Sequence, residues 1–364
     1  MSTVSAVIPS SLFLRGTYGG LTGIARYVIL ADLAGADRIW IAGDPPDRRD
    51  WEQSFRDRRR PLPEIIVLRD GDRLPPPALH ERRMILPADA LLTPAGVTAL
   101  AAGRPAGDAR YHGDDARSLT MAILRSTIKP TDGWVCRNIN RPVSMRISAR
   151  LLPTGIGPTP VTWFTLLLAA MMVWVLVHGS VWHIVLGGLL YQIVSTVDGV
   201  DGEIARSTYR FSARGALLDT ICDMLANFGF AIGLMVGLIE TYGASYVGYA
   251  TAITGLLALG VGAMALLLRL GPRKGSFDVL RAALARRLEH WPRLRDAVLT
   301  VERLFKRDAY VLFGCVTCLA GLAWTLPPII IGGLAIWNLA IAWCAPLIIA
   351  DKDGELLPAH LRGA

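Results

Sequence analysis

Two aspartate pairs lie where two long apolar runs approach each other in the sequence, and this arrangement restricts what the chain can be more than any other feature. The stretch from Asp198 to Asp223 reads DGVDGEIARSTYRFSARGALLDTICD. Asp198 and Asp201 are three positions apart, and Asp219 and Asp223 are four apart. On helices, both spacings set the paired carboxylates on one face. Four acids at a membrane boundary are costly unless a cation neutralises them. A hard divalent metal with oxygen ligands meets that need.

The surrounding chain supports the membrane setting. From Met1 to about Arg150 the sequence is mixed and polar, whereas beyond Val161 it is mostly long apolar runs. Six runs, at approximately 161–178, 181–197, 215–239, 244–268, 309–325 and 328–350, predict six transmembrane helices, with the second and fifth at the short end. Arg137 to Arg150 precede the first run, and Arg206, Arg210 and Arg214 separate the second from the third. The 269–308 loop is rich in Arg and Lys, while the turns near His178-Gly179, Glu240–Gly243 and Thr325–Pro328 contain neither. The positive-inside rule then places both termini and the aspartate stretch in the cytoplasm, in a multi-pass inner-membrane protein. The same basic clusters account for the formal net charge of +8, so anionic lipid headgroups are the expected partners and nucleic acid is not.

Cys136, Cys222, Cys315, Cys318 and Cys344 have no framework spacing, so no structural disulfide is expected, and Cys315 and Cys318 read as buried core. The N-terminus lacks a basic segment followed by an apolar one, so no cleaved signal peptide is expected.

Residues 1–125 read as a small α/β domain. Val4 to Ile8, Arg38 to Ala42 (RIWIA), Glu64 to Leu68 (EIIVL) and Met84 to Leu86 are strand-like, and Gly43-Asp44-Pro45-Pro46 stops the second. Gly20 to Leu33 has helical periodicity, and Thr93-Pro94 opens a further helix as N-cap and first residue. Strands alternating with helices predict a parallel sheet. Asp47 to Arg60 reads as an exposed charged helix or loop.

Residues 126–153 form a junction, with turn signals at Pro130 and Asp132-Gly133. Arg137, Arg141, Arg146 and Arg150 alternate with Ile139, Val143, Ile147 and Leu151, which predicts an amphipathic juxtamembrane helix. Residues 154–364 form the all-α polytopic domain. Within its basic loop, Phe277, Leu280, Leu284 and Leu288 predict another helix.

The aspartate stretch also fits D-x2-D-G-x2-A-R-x8-G-x3-D-x3-D through Asp198, Asp201, Gly202, Ala205, Arg206, Gly215, Asp219 and Asp223. In this it resembles the signature of the CDP-alcohol phosphotransferase family at every fixed position, and the likeness extends over about 126–350. The resemblance implies transfer of a substituted phosphate from a CDP-alcohol to an acceptor alcohol, with release of CMP and dependence on Mg2+ or Mn2+. Two metal ions would be held by Asp198, Asp201, Asp219 and Asp223, and Asp223 would be the general base. Gly202, Ala205, Arg206 and Gly215 would line the cytidine diphosphate site, and a homodimer through the membrane helices is implied. Taken alone, the glycines fit close helix packing and the acids an ion pathway. IGPTPVT (Ile156 to Thr162) resembles the family's T-P-N-x-x-T start of the first span, with Gly157 and Thr159 replacing Thr and Asn.

GLTGIARYVILADLAGADRIWIAGD and RMILPADALLTPAG resemble the sugar-phosphate nucleotidyltransferase fold, with Asp89 at its metal-binding position. The Gly-rich nucleotide loop of that family is replaced by IPSSLFLRGTYGG, so the domain reads as degenerate. The fusion, and KPTDGWVCRNINRPVS (Lys129 to Ser144), resemble a bifunctional family that makes CDP-inositol and transfers inositol phosphate. Phosphatidyl transfer from CDP-diacylglycerol competes with that expectation. Arg141, Arg210, Lys306 and Arg307 are candidates for an acceptor phosphate. The opposing reading is a non-enzymatic membrane anchor whose N-terminal domain recruits a partner.

Overall fold

A computed structural model describes residues 3–43, 62–69, 72–78, 80–129, 132–270, 278–304 and 306–351. The Asp44-Pro45-Pro46 stop, the charged stretch Asp47 to Arg60, Pro130 and Phe277 lie outside the described residues. The chain divides into two compact units. One comprises Met1–Asp132, Arg137–Thr165 and Thr196–Asp223; the other comprises Gly133–Cys136, Leu166–Ser195 and Met224–Ala364.

The first unit contains the expected parallel sheet. Its strands are β1 (Thr3–Ile8), β4 (Arg38–Ala42), β5 (Glu64–Leu68) and β6 (Glu81–Ile85), in the order β5-β4-β1-β6 with every neighbouring pair parallel. Ala6 sits opposite Ile39 on one side and Met84 on the other. Ile39, Trp40 and Ile41 are buried in succession, the pattern of a strand covered on both faces. A two-stranded ribbon, β2 (Thr17–Tyr18) with β3 (Leu21–Thr22), follows the short helix α1 (Leu12–Arg15). Helix α2 (Gly23–Leu33) is started by Thr22, whose hydroxyl accepts from the Ala25 N–H, and is buried from Gly23 to Asp32. Helix α3 (Pro94–Ala101) begins at the expected Thr93-Pro94 cap, and α4 (Ala116–Ser126) is capped by Asp115. Ile8, Leu14, Tyr27, Ile29, Ile39, Ile41 and Leu86 form the centre of this core.

The same unit includes the junction helix α5 (Arg141–Leu151), the start of α6 (Pro158–Val177), the end of α7 (Val181–Ser207) and the start of α8 (Ala213–Tyr242). Leu124, Met145, Leu152, Val161, Val200 and Ile204 pack these ends together. A π-helical turn, Cys136–Asn140, leads into α5. Helix α5 buries Arg141, Ser144, Met145 and Ser148, while Val143 is exposed.

The second unit is helical. It contains α9 (Val247–Leu270), α10 (Asp278–Arg287), α11 (Pro292–Leu304), α12 (Arg307–Leu319) and α13 (Leu326–Ala350), besides segments of α6, α7 and α8. Leu176, Leu234 and Leu238 are fully buried in its core, where Tyr191 stacks on Phe230 at 3.9 Å between ring centroids. Gly237 allows a close helix approach, because a Cβ there would lie 2.4 Å from the Leu176 carbonyl oxygen. Ala283 of α10 packs with Ile341, Cys344 and Ile348 of α13. All five cysteines are free and buried.

Among the described residues, five helices are long and apolar enough to cross a membrane: α6, α7, α8, α9 with its preceding turn, and α13 with its preceding turn. The 309–325 run does not form one long helix. Gly321 adopts φ 71°, and the Leu322 N–H bonds back to the Thr317 carbonyl, which closes α12 after 13 residues. At 1.5 Å per residue α12 is about 20 Å long, against a bilayer core of about 30 Å.

Candidate active site

Local sequence places the two acid-bearing helix ends. The Ser180 hydroxyl accepts from the His183 N–H and starts α7, which runs unbroken for 27 residues to Ser207. At its end the Arg210 N–H bonds to the Ala205 carbonyl, and Tyr209 takes a left-handed φ of 55°. The Ser212 hydroxyl then accepts from the Gly215 N–H and starts α8. Asp198 and Asp201 thus lie near the end of one helix, and Asp219 and Asp223 near the start of the next.

Three of the four acids converge. Asp198, Asp219 and Asp223 each offer a carboxylate oxygen, and these atoms all lie within 4.8 Å of one another. Like charges at that separation repel strongly unless a cation is shared among them. All three are half-buried, and their all-oxygen donor set fits Mg2+ or Mn2+. Asp201 is buried, and its Oδ2 accepts from the Thr162 hydroxyl at 2.5 Å.

The other signature residues share that end of α7. Asp198, Gly202 and Arg206 recur every four residues and therefore line one helical face. A Cβ on Gly202 would lie 2.8 Å from Arg206 Nη1, so the absence of a side chain at 202 gives the guanidinium its place. Arg206 Nε is buried without a hydrogen-bond partner, which suits an incoming anion. Ala205 is half-buried, and its carbonyl is engaged by Arg210. At Gly215, a Cβ would meet only the Ser212 hydroxyl among the described residues, at 2.8 Å.

The structure adds a residue that sequence reasoning passed over. Glu203 is fully buried; its Oε1 accepts from Arg141 Nη1 at 2.8 Å and from the Ser144 hydroxyl at 2.6 Å, and its Oε2 accepts from the Ser148 hydroxyl. Arg141 also donates to Asp132 Oδ2 through Nε and Nη2, and to the Gly199 carbonyl. Arg141, Ser144 and Ser148 share one face of α5, a polar stripe that calls for a polar partner without identifying it as Glu203.

The acceptor-phosphate candidates fall in both units. Arg141 is buried in the contacts just described. Arg210 is half-buried, with Nη1 3.4 Å from the Gly155 carbonyl oxygen. Lys306 and Arg307 belong to the second unit, at the N-cap and first position of α12.

Known proteins share part of this chain, in its C-terminal part. One stretch is 36% identical over 118 residues to a bifunctional IPC transferase and DIPP synthase of Archaeoglobus fulgidus, covering 32% of this chain and 23% of that protein. Proteins of the same name from Aquifex aeolicus and Thermococcus kodakarensis are 36% identical over 126 residues and 34% identical over 150. Those matches cover 34% and 38% of this chain, and 28% and 34% of the two relatives. In all three, therefore, the matched stretch is no more than 34% of the relative's length. Residues 156–289, which contain all eight signature positions, match the family model of CDP-alcohol phosphatidyltransferase.

Proposed function

We propose that the chain is an integral membrane transferase that moves a substituted phosphate group from a CDP-alcohol to an acceptor alcohol and releases CMP. The observation that carries this reading is the convergence of Asp198, Asp219 and Asp223 on the face that also holds Gly202 and Arg206, inside the family-matched segment.

The residues divide the work as follows. Asp198, Asp201, Asp219 and Asp223 would hold one or two Mg2+ or Mn2+ ions, which neutralise the pyrophosphate and its leaving phosphate. Arg206 pairs with a phosphate oxygen, and Gly202 and Gly215 leave room for the nucleotide at the backbone. Thr162 holds Asp201 in place. Asp223 takes the proton from the acceptor hydroxyl as its oxygen bonds to phosphorus, and the bond from phosphorus to the CMP oxygen breaks.

The likeness to the bifunctional IPC transferase and DIPP synthases favours an inositol-phosphate chemistry, with phosphatidyl transfer from CDP-diacylglycerol as the competing reaction. Arg210 is a proposed acceptor-phosphate residue of the first unit and Lys306 and Arg307 are separate candidates in the second, while Arg141 serves α5 through Glu203. Residues 1–125 are read as a degenerate nucleotidyltransferase-like domain, 126–153 as a junction with an interfacial helix, and 154–364 as the membrane domain. Counting α12 and the turn to Thr325 as a short sixth span keeps both termini and the acids cytoplasmic, as the basic loops favour. A homodimer through the membrane helices completes the reading.

The test is CMP release by purified protein in lipid nanodiscs, given CDP-diacylglycerol or CDP-inositol with inositol phosphate. Release is expected on addition of Mg2+ and abolished by EDTA. Asp223→Asn should slow it by about 10²- to 10⁴-fold. An Asp223→Asn rate equal to wild type would refute the assigned base, and release without divalent metal would refute the metal site.

A further inference from the structure

The α/β layer grips the end of α7 through one fully buried arginine. Arg26 of α2 has no solvent exposure. Its Nη2 donates to the Tyr18 carbonyl at 2.8 Å, to the Gly19 carbonyl at 3.3 Å and to the Ser207 carbonyl at 3.0 Å. Ser207 is the last residue of α7, so a cation is held at the negative end of that helix. The guanidinium also lies over the Tyr209 ring, 5.5 Å from its centroid, with Nη1 3.5 Å from the hydroxyl.

Tyr209 supplies an independent observation. It occupies the left-handed position that closes a helix, where glycine is the usual residue. A tyrosine persists in that conformation only where its surroundings hold it, and such residues cluster at functional sites. Here the ring packs against the core of the α/β layer. The β2–β3 turn seats on the same place: Gly20 has φ 81°, and a Cβ on it would lie 2.9 Å from Thr208 Cγ2 and 2.8 Å from Leu152 Cδ2. All these residues belong to one compact unit.

The gripped segment, 207–212, joins Arg206 to the Ser212-capped turn that holds Gly215. We propose that Arg26 is a positioning residue for the nucleotide site: from the α/β layer it fixes the carbonyl end of α7 and the turn to α8, and so sets Arg206 and Gly215 in register for a cytidine diphosphate group. The proposal rests on the transferase reading above. It gives the N-terminal domain a role that needs no nucleotide chemistry of its own.

The experiment is equilibrium binding of CDP, with Mg2+, to the full-length protein in detergent, beside its thermal unfolding. Arg26→Met should weaken CDP binding about tenfold, within the usual range of coupling between linked sites, and Arg26→Lys about threefold because it keeps the charge and a donor. Arg83→Met, a half-buried change elsewhere in the α/β layer, should lower thermal stability and leave CDP affinity within about twofold. Tyr209→Gly relaxes the backbone and so folds even where Arg26→Met does not; it should weaken CDP binding in the same direction. Unchanged affinity in Arg26→Met, or in Tyr209→Gly where Arg26→Met does not fold, would overturn the proposal. Equal weakening by Arg83→Met would also overturn it, because the effect would then be general loosening of the domain. Wild-type protein that binds no CDP would instead refute the transferase reading itself, and the proposal with it.

Discussion

Arg141 Nη1 donates to Glu203 Oε1 at 2.8 Å, and both side chains are buried. Ser144 and Ser148 also donate to that carboxylate, and Asp132 takes the other edge of the guanidinium. Glu203 lies two residues beyond Asp201, so this network fixes α5 against the acid-bearing end of α7.

Breaking one side of the network should be severe. Removing one partner of a buried pair strands the other, at a cost of about 3–5 kcal/mol. Glu203→Ala and Arg141→Met are each expected to lower thermal stability sharply. The Arg141→Met/Glu203→Met double variant should lose much less than the sum of the two single changes. Additive losses in a double-mutant cycle would show that the pair is not coupled.

Thr162 offers a subtler test, because its hydroxyl holds the buried Asp201 carboxylate. Thr162→Val keeps the shape and removes the donor. Loss of such an outer partner typically costs about 10- to 100-fold in metal affinity or activity. The Mg2+ concentration for half-maximal CMP release should rise accordingly. An unaltered Mg2+ dependence would place Asp201 outside the metal site.

The α/β layer carries its own acid-sensitive contact. Glu81 Oε1 accepts from the Ser5 hydroxyl, its Oε2 accepts from the Ala78 N–H at 2.8 Å, and Arg83 lies 3.3 Å away. The Ser5 hydrogen bond first, then the Ala78 N–H and Arg83, hold this carboxyl at about 2, below its usual 4.5. Because the folded value is the lower one, the unfolded chain binds more protons between these pH values. The stabilisation is therefore complete above pH 4.5 and is lost as pH falls from there towards 2. Hydrogen exchange of the β1 and β6 amides should show protection falling through that window. Glu81→Gln should flatten the fall, and identical slopes for variant and wild type would remove Glu81 as its cause.

Much of this architecture is legible in the sequence, for local reasons. The Thr93-Pro94 cap and the RIWIA and EIIVL strands are set by near neighbours, and the spacing of Asp219 and Asp223 alone gives their shared face. What escapes is non-local or apolar. Glu203 meets Arg141 across a separation of 62 residues, and no spacing along the chain announces that. Thr162 was visible only as a motif remnant, not as the partner of Asp201. The stop at Gly321 is hidden because Gly321 and Leu322 continue an apolar run, although the backbone closes the helix there. The aspartate cluster itself illustrates the division: helical spacing gives each pair a face, but only the fold joins Asp198 to Asp219 and Asp223 and turns Asp201 to Thr162.

Gly202 sets stability and function in opposition. Within a helix, alanine is favoured over glycine by about 1 kcal/mol, so Gly202→Ala on propensity alone should stabilise α7. The added Cβ would lie 2.8 Å from Arg206 Nη1 and 3.1 Å from Nη2. The flexible guanidinium can yield, and in yielding it leaves the position from which it meets a phosphate. Gly202→Ala should therefore keep or raise the melting temperature while weakening CDP binding about tenfold, the equivalent of about 1.4 kcal/mol. At Gly215 the added Cβ meets, among the described residues, only the rotatable Ser212 hydroxyl, so Gly215→Ala should perturb Arg206 far less and reports instead on room for the nucleotide. CDP affinity preserved in Gly202→Ala, with the protein folded, would show that the position of Arg206 does not govern nucleotide binding.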